Sequence, residues 1–297
     1  MFEELIEILS DILFDIIFDL LFDLLFDILF DILFNLLFDI FNELRYVKMN
    51  VLLNGAMGKM GNELINAINK NDDFTILCGF DKEDYFDGDF PVYSNIEDIK
   101  ENVDVIIDFS IPKATFTILE YAKLKKIPIV IATTGFTDDE LGLIEDYSKF
   151  IPIFRSSNMS LDINLMCKIV MEVAKVLYDN DIEIVETHHN RKVDSPSGTA
   201  IMLADAINSV FDNQKTYDFD RMQKREKRSK NEIGFSSIRG GNIVGEHSVI
   251  FFSENETFEI THKSYSRQVF AEGALKATKF LVTQKPGLYN MSDVLDY

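Results

Sequence analysis

The chain has 297 residues and a formal net charge of −21 at neutral pH, a length that accommodates two domains and a sizeable core. Residues 1–48 carry eleven acids against Arg45 and Lys48, and the remainder is still acidic. Such a surface repels phosphate backbones, which excludes general nucleic-acid binding but leaves room for a small anion at a local basic site.

The first 48 residues form a low-complexity extension in which Phe-Asp-aliphatic-aliphatic recurs, as in FDLLFDLLFDILFDILFNLLFDIF at 18–41. Three apolar side chains at roughly −0.5 kcal/mol each do not offset about +3 for one central Asp, so every repeat opposes a membrane span. A period of four advances ~400° per unit at about 100° per residue, so the Asp row drifts ~40° each time and winds round the helix. The segment is expected to be helical, without a fixed apolar face or a coiled-coil seam. It reads either as an oligomerising or surface-attaching extension, or as translation of a tandem nucleotide repeat ahead of a start at Met49. The second reading is favoured, because the first strand of a nucleotide-binding fold is expected within ten residues of a start, and Met49 meets that expectation. No basic start or small-residue cleavage site of a signal peptide is visible.

MNVLLNGAMGKMGNELINAI, from Met49, predicts a short buried strand at 51–53, a glycine turn, and a helix from about Lys59. Gly55, Gly58 and Gly61 are spaced G-x-x-G-x-x-G. That spacing serves a tight turn, a close backbone approach to a pyrophosphate, and close helix-to-strand packing. A strand over 75–80 ends in Asp81, twenty residues after Gly61, where an acid would meet ribose hydroxyls. Lys82 is next in the chain and suits a 2′-phosphate, so both NADPH and NADH are accommodated. An ordinary strand-to-helix turn and a solvated strand end are the plain alternatives.

Strands at 104–110, 127–132 and 151–155 alternate with helices at 112–125 and 138–150. Apolar strands separated by helices predict a parallel sheet with ligands beyond the strand C-termini. There lie Thr133-Thr134-Gly135 and Ser156-Ser157-Asn158. Cys78 and Cys167, without metal or redox spacing, read as reduced, partly buried thiols of a cytoplasmic protein.

After a helix at 164–177, a strand at 183–186 leads into THHNRKVDSPSGTA and a helix from Ala200. Two imidazoles, two cations and a Gly-Thr helix start suit a small carboxylate: backbone N–H groups and the dipole attract the anion, and Lys192 and an imidazole offer protons. Adjacent His188 and His189 on a strand point to opposite faces, which excludes a metal site. Singly, each of these residues is as readily a packing, surface or N-cap feature. The basic run RMQKREKRSK at 221–230 reads as a solvated loop, or else as a rim that steers an anion inward. His247 and His262 read as core or structural. Alternation at 248–252 and 257–261 predicts a mixed sheet with one apolar face.

ETHHNRKVDSPSGTA, with NGAMGKMG, DFSIP, ATTGF, SSNMSLDIN, SIRGGNIVGEH, FEITHKSYSR and GLYNMSDVLDY, closely resembles the 4-hydroxy-tetrahydrodipicolinate reductase family, also called dihydrodipicolinate reductase. The resemblance runs from Met49 to the C-terminus; residues 1–48 depart from the family and bear on nothing catalytic. It implies an α/β fold: a Rossmann-like nucleotide-binding domain at 49–157, an α+β substrate and oligomerisation domain at 158–264, and a segment at 265–297 packing back on the first. It implies that Gly55, Ala56, Met57, Gly58, Lys59 and Met60, with Asp81 and Lys82, hold the adenosine and pyrophosphate side of NADPH or NADH. Ala132, Thr133 and Thr134, with Ser156, Ser157, Asn158 and Met159, would line the nicotinamide end. His188 matches the proton donor/acceptor and Lys192 the general acid. His189, Gly198 and Thr199 match the positions gripping the dicarboxylate substrate of lysine and diaminopimelate biosynthesis. A homotetramer built on the mixed sheet is also implied. A semialdehyde dehydrogenase would need a cysteine nucleophile, for which neither Cys78 nor Cys167 is placed, and a nucleotide-sensing regulator has no need of His188 and Lys192.

Overall fold

The computed structural model describes residues 22, 25, 26, 29–37, 48–85 and 88–295. The chain divides into two compact units, Met1–Lys48 and Met49–Tyr297. In the first, the described residues between 22 and 37 are helical, and their large apolar side chains are all 55–61% exposed. Phe26, Phe30 and Phe34 stack along it, with ring centroids 6.4 and 6.2 Å apart. Among the described residues of this unit no side is buried in preference to another, which is what a winding apolar pattern produces. The other expectations for residues 1–48 lie outside the described residues. Among the described residues no helix is long and apolar enough to cross a membrane.

The second unit opens with strand β1 (Met49–Asn54), followed by the helix Lys59–Ile68, β2 (Phe74–Phe80) and β3 (Val92–Tyr93). Then come β4 (Val105–Asp108), the helix Pro112–Lys125, β5 (Ile129–Ile131), the helix Asp138–Ser148 and β6 (Pro152–Arg155). Val51, Leu52 and Leu53 are all buried, as are all of β4 and β5. A strand covered on both faces needs a continuous apolar run, and these have one. Val51, Leu53, Val105 and Ile107 face the helix Lys59–Ile68, whereas Leu52, Ile106, Ile129 and Ile131 pack with Ile118, Leu119 and Ile144 of the other two helices. Cys78 and Cys167 are buried free thiols, and burial pushes both up to about 12, which makes them inert.

Next come the helix Leu161–Val176, β7 (Asp181–His188), the helix Gly198–Val210, β8 (Thr216–Asp218), β9 (Glu232–Arg239), β10 (Gly245–Phe252) and β11 (Thr257–Ser264). The last elements are the helix Gln268–Leu281, β12 (Gly287–Tyr289) and the short helix Met291–Leu295. The first sheet runs β12-β6-β5-β4-β1-β2-β3 with every neighbouring pair parallel. The helix Gln268–Leu281, which no local motif marks, lays Ala271, Ala274, Ala277 and Leu281 on this sheet's core, and β12 extends its edge beside β6.

The second sheet runs β11-β10-β7-β9-β8. It is mixed: β10 is antiparallel to β7 and β11, and β9 is parallel to β7 and β8. Ile182, Ile184, Ile233, Val249 and Phe251 face the helices Leu161–Val176 and Gly198–Val210, while Ser236, Ile238, Glu259 and Thr261 on the opposite side are exposed.

Several elements begin earlier or end later than their apolar patterns predict, and side-chain caps explain two of them. Ser160 accepts from Ile163 N–H and starts its helix at Leu161 rather than at 164. Ser197 accepts from Ala200 N–H and starts the next at Gly198. The strand expected at 183–186 continues to His188, with 182, 184, 186 and 188 all buried. The basic run is folded onto acids. Arg228 pairs with Glu183 and donates to Ile182 O at 2.6 Å, Lys224 pairs with Asp218, and Arg221 with Asp218 and Glu232. Its anchor, Arg228, stands at the start of β7, about 20 Å along the strand from His188, so this cation neutralises its own sheet.

Candidate functional site

Because the first sheet is all parallel, its strand C-termini open onto one edge. There Gly55 leaves β1 with a φ of +81°, and a Cβ on it would stand 2.6 Å from Phe109 O. Only glycine permits that turn at that distance. Gly58 is the N-cap of the helix Lys59–Ile68 and makes no side-chain cap, so the first N–H groups and the positive end of the dipole remain open to an anion. Asp81 accepts from Met57 N–H at 2.9 Å and from Lys82 N–H at 2.8 Å. The glycine turn and the acid after β2 are thus joined, with Lys82 exposed beside them.

At the crossing between β1 and β4, Asp108 is fully buried. It accepts from Asn54 Nδ2 at 2.8 Å, Thr115 Oγ1 at 2.5 Å, Ser110 Oγ at 2.5 Å, Ser110 N–H at 3.1 Å and Thr133 Oγ1 at 3.1 Å. Burial raises its pKa while the hydroxyl donors act in the opposite sense. Thr133 therefore turns its hydroxyl into the sheet, and the side chain facing the cleft is that of Thr134.

A cleft of about 560 Å³ lies between this edge and the end of β7, a volume suited to a small organic ligand. Met60, Phe109, Ala132, Thr134 and residues 156–159 line one side; His188, His189, Lys192 and residues 197–199 line the other, with Arg267 and Phe270. Asn158 Nδ2 donates to Thr199 Oγ1 at 2.9 Å, tying the loop after β6 to the start of the helix Gly198–Val210. The structure thus brings together the sequence-identified residues at 60, 132, 134, 156–159, 188, 189, 192, 198 and 199. Gly55, Ala56, Met57, Gly58, Lys59, Asp81 and Lys82 stand at the same sheet edge, outside this cleft's lining.

His188 is the last residue of β7 and is buried. Its Nδ1 lies 2.6 Å from Glu186 Oε2, and Arg239 grips the same carboxylate with Nη1 at 2.8 Å and Nη2 at 2.7 Å. Ser197 N–H adds a further bond to Glu186 at 3.2 Å. Burial alone would raise the Glu186 carboxyl, but the bonds from His188, Arg239 and Ser237 outweigh it and hold it well below the carboxylate range. Lys192 pairs with Asp194 at 2.9 Å and is largely shielded. Burial, then the charges of Arg191 and Arg267, lower the His189 pKa. Behind His188, Ser197 Oγ lies 2.8 Å from His247 Nε2, and burial brings His247 down to about 3.

Glu186, Ser197, Arg239 and His247 lie within the strings ETHHNRKVDSPSGTA and SIRGGNIVGEH, yet none of them is given a site role by sequence alone, where His247 reads as core or structural. For Glu186 a signal exists: it sits two residues before His188, hence on the same strand face. Arg239 has none, because it arrives through the β7–β9 register, in which it pairs with His188. Among the described residues no cluster of His, Cys, Asp and Glu has the makings of a metal site.

Residues 49–159 match the family model for the dihydrodipicolinate reductase N-terminus, and residues 162–295 that for its C-terminus. The chain is 51% identical over 247 residues to a 4-hydroxy-tetrahydrodipicolinate reductase of Caldanaerobacter subterraneus, covering 83% of this chain and 98% of that one. It is 45% identical over 252 residues to a protein of the same name from Clostridium tetani, covering 84% and 98%. Among solved structures, the dipicolinate-bound dihydrodipicolinate reductase from Paenisporosarcina sp. TG-14 superposes with a TM-score of 0.67 at 26% identity, covering 82% of this chain and 98% of that one. A probable dehydrogenase from Thermotoga maritima, at 10% identity and a TM-score of 0.53, shares the fold alone. With both family models matched in order across residues 49–295, this chain belongs to the dihydrodipicolinate reductase family.

Proposed function

We propose that this protein is a 4-hydroxy-tetrahydrodipicolinate reductase of lysine and diaminopimelate biosynthesis, using NADPH or NADH. The observation that carries the reading is the single cleft in which the C-terminal edge of the parallel sheet faces His188, Lys192 and the Gly198–Thr199 helix start. The uncapped turn at residues 55–60 fits a pyrophosphate, Asp81 the ribose hydroxyls, and Lys82 a 2′-phosphate. Ala132 and Thr134, the backbone at Thr133, and residues 156–159 shape the nicotinamide end. When bound, the nicotinamide supplies the hydride.

The chain's own residues provide the rest. Ser197 takes the Ala200 N–H, and the N–H groups of Gly198 and Thr199, at the positive end of the dipole, receive a substrate carboxylate with help from His189. Glu186 occupies Nδ1 of His188, so proton exchange with substrate runs through Nε2. Lys192 neutralises the dianion and donates the proton with which the substrate hydroxyl leaves as water, and it regains the ring proton released in that elimination, so the turnover consumes one proton net, the one from His188. The uncovered face of the second sheet is the surface we assign to a homotetramer of this cytoplasmic enzyme.

The test is turnover: the full chain, given freshly generated 4-hydroxy-tetrahydrodipicolinate, should oxidise NADPH or NADH, and neither cofactor should be consumed without that substrate. Substituting His188 or Lys192 should depress kcat, and Thr199→Val should raise KM. No turnover with either cofactor would overturn the proposal.

A further inference from the structure

A second, smaller cavity of about 40 Å³ adjoins the cleft at His188, with Asn158, Thr199, Val244 and Phe270 lining both. Its polar lining includes His188, His247 and His262, with Asn158, Ser160 and Thr199. His247 and His262 are partners across β10 and β11, so both rings project from the same side of the sheet. The His188 and His247 rings meet edge to face with centroids 5.1 Å apart. Nδ1 of His247 and Nδ1 of His262 are both buried, and neither has a protein partner. His247 as a whole is 4% exposed.

Ser197 Oγ accepts from Ala200 N–H and pairs with His247 Nε2 at 2.8 Å. Burial keeps His247 neutral, so in either tautomer Nδ1 is the ring nitrogen that still needs a partner, as donor or acceptor. A buried polar nitrogen left unmatched costs about 1–3 kcal/mol, and the cavity is where the match must come from. By the same measure of volume one water needs about 10–15 Å³, so the space admits two or three.

His188 adds the reason for water there. Its Nδ1 is committed to Glu186, so Nε2 must both give a proton to substrate and be recharged. Nε2 reaches the cavity at Gly245, where an added Cβ would stand 3.1 Å from Nε2 and 3.8 Å from His247 Cε1. On the outer side, His262 is half-buried and feels the charge of Asp162, at the first turn of the helix Leu161–Val176.

We propose that this cavity is a hydrated proton-supply site for His188, in which ordered water held by His247 Nδ1 and His262 Nδ1 returns to Nε2 the proton spent in each turnover. This rests on the function proposed above. Each cycle His188 passes one proton from Nε2 to substrate. A cavity water protonates Nε2 and is itself reprotonated along the file past His262 and Asp162 from solvent. One proton enters per turnover, no electrons move through the path, and His247 anchors the water without changing charge. His247 and His262 are positioning residues: they act on substrate only through the water and His188.

Two measurements test it. A high-resolution crystal structure of the full chain should show ordered water within hydrogen-bonding reach of His247 Nδ1; a dry cavity overturns the proposal, whatever the substrate proves to be. Gly245→Ala, which adds one methyl to the cavity without removing a titratable group, and His262→Phe should each lower kcat by about five- to tenfold, the scale of one lost hydrogen-bonded link. KM for substrate and cofactor should hold, the solvent deuterium isotope effect on kcat should rise, and added ammonium buffer should restore kcat in His262→Phe. Unchanged kcat in both variants, or a lowered kcat with an unchanged isotope effect, overturns it. Should Gly245→Ala fail to fold, His262→Phe decides. An unmodified chain inactive on 4-hydroxy-tetrahydrodipicolinate would overturn the proposed function, while the crystallographic result would still judge the cavity.

Discussion

Glu186 stands 2.6 Å from Nδ1 of His188 and is itself clamped by both terminal nitrogens of Arg239. The pair is buried at the end of β7. A carboxylate acceptor fixes the proton on Nδ1 and leaves Nε2 as the exchanging atom, as an orienting carboxylate does for a metal-bound or catalytic histidine. Glu186→Gln keeps the shape, but its amide can present N–H to Nδ1 and select the opposite tautomer. The expected result is a fall in kcat of roughly a hundredfold, with KM little changed. Breaking the clamp also leaves Arg239 without its carboxylate, which should destabilise the fold by about 3 kcal/mol. Kinetics and urea titration of the same variant separate the two effects. A normal kcat in a variant that melts early would assign Glu186 to stability alone.

The acid sensitivity of the fold should carry a signature of His247. In the unfolded chain a histidine titrates near about 6.5; in the folded protein burial brings this one down to about 3, with His188, His262 and Lys192 opposing the charge and Glu186 favouring it. The folded pKa is depressed, so His247's contribution to stability is complete above the unfolded value and is lost as pH falls from there toward 3. Over that window the unfolded state takes up a proton that the folded state refuses, and the folding constant drops up to tenfold per pH unit. Glu186, held below its ordinary 4.5, adds its own loss only beneath that value. Urea midpoints between pH 6.5 and 5 therefore isolate the histidines, and His247→Gln should flatten the slope by one proton's worth. An identical slope in the variant would show that His247 is protonated in the native protein.

What the sequence made legible was local. Buried runs such as VIID and IVI declare two-faced strands, and the glycine spacing declares the turn after β1. The string from Thr187 to Ala200 places imidazoles, a lysine and a helix start within one connection. What was not legible depends on pairing. Arg239 reaches Glu186 from 53 residues away because β9 is parallel to β7 in a particular register. Asp108 has the look of a strand's polar end, yet it is a wholly buried hub fed not only by its neighbours Ser110 and Thr115 but by Asn54 of β1, 54 residues away, and by Thr133 after β5, 25 residues away. The repeat at the front was legible in the negative: the drift of its period denies it an apolar face, and its described residues bury none.

Gly273 carries the helix Gln268–Leu281 directly onto the loop after β6. A Cβ there would stand 1.8 Å from Met159 O, so the helix backbone touches the strand connection with no side chain between. Met159 and its neighbours line the cleft. Gly273→Ala must push helix and loop apart, an overpacking that typically costs about 1–3 kcal/mol. The expected outcome is a lower melting temperature together with a raised KM for the nicotinamide cofactor, because the displaced loop is the one assigned to its reactive end. A variant that loses stability while keeping cofactor KM would remove residues 156–159 from the cofactor site.

Asp81 and Lys82 should divide the choice of cofactor between them. Asp81 already accepts from Met57 N–H and Lys82 N–H, and each carboxylate oxygen keeps a lone pair toward a ribose diol. Asn at this position retains one carbonyl acceptor for the Met57 amide but loses the charge, so the turn should survive while the diol is held less tightly. Asp81→Asn should raise KM for NADH about tenfold, the loss of a charge-assisted bond, and should affect NADPH less, since removing the acid also removes its repulsion of the 2′-phosphate. Lys82 is exposed, so its attraction to that phosphate is screened. Lys82→Ala should therefore raise KM for NADPH only about two- to fivefold and leave NADH unchanged. Competition between the two cofactors at fixed substrate reads both effects at once. If both variants shifted NADH and NADPH equally, the ribose would lie elsewhere on the sheet edge, and Asp81 would be left with the single task of holding the glycine turn.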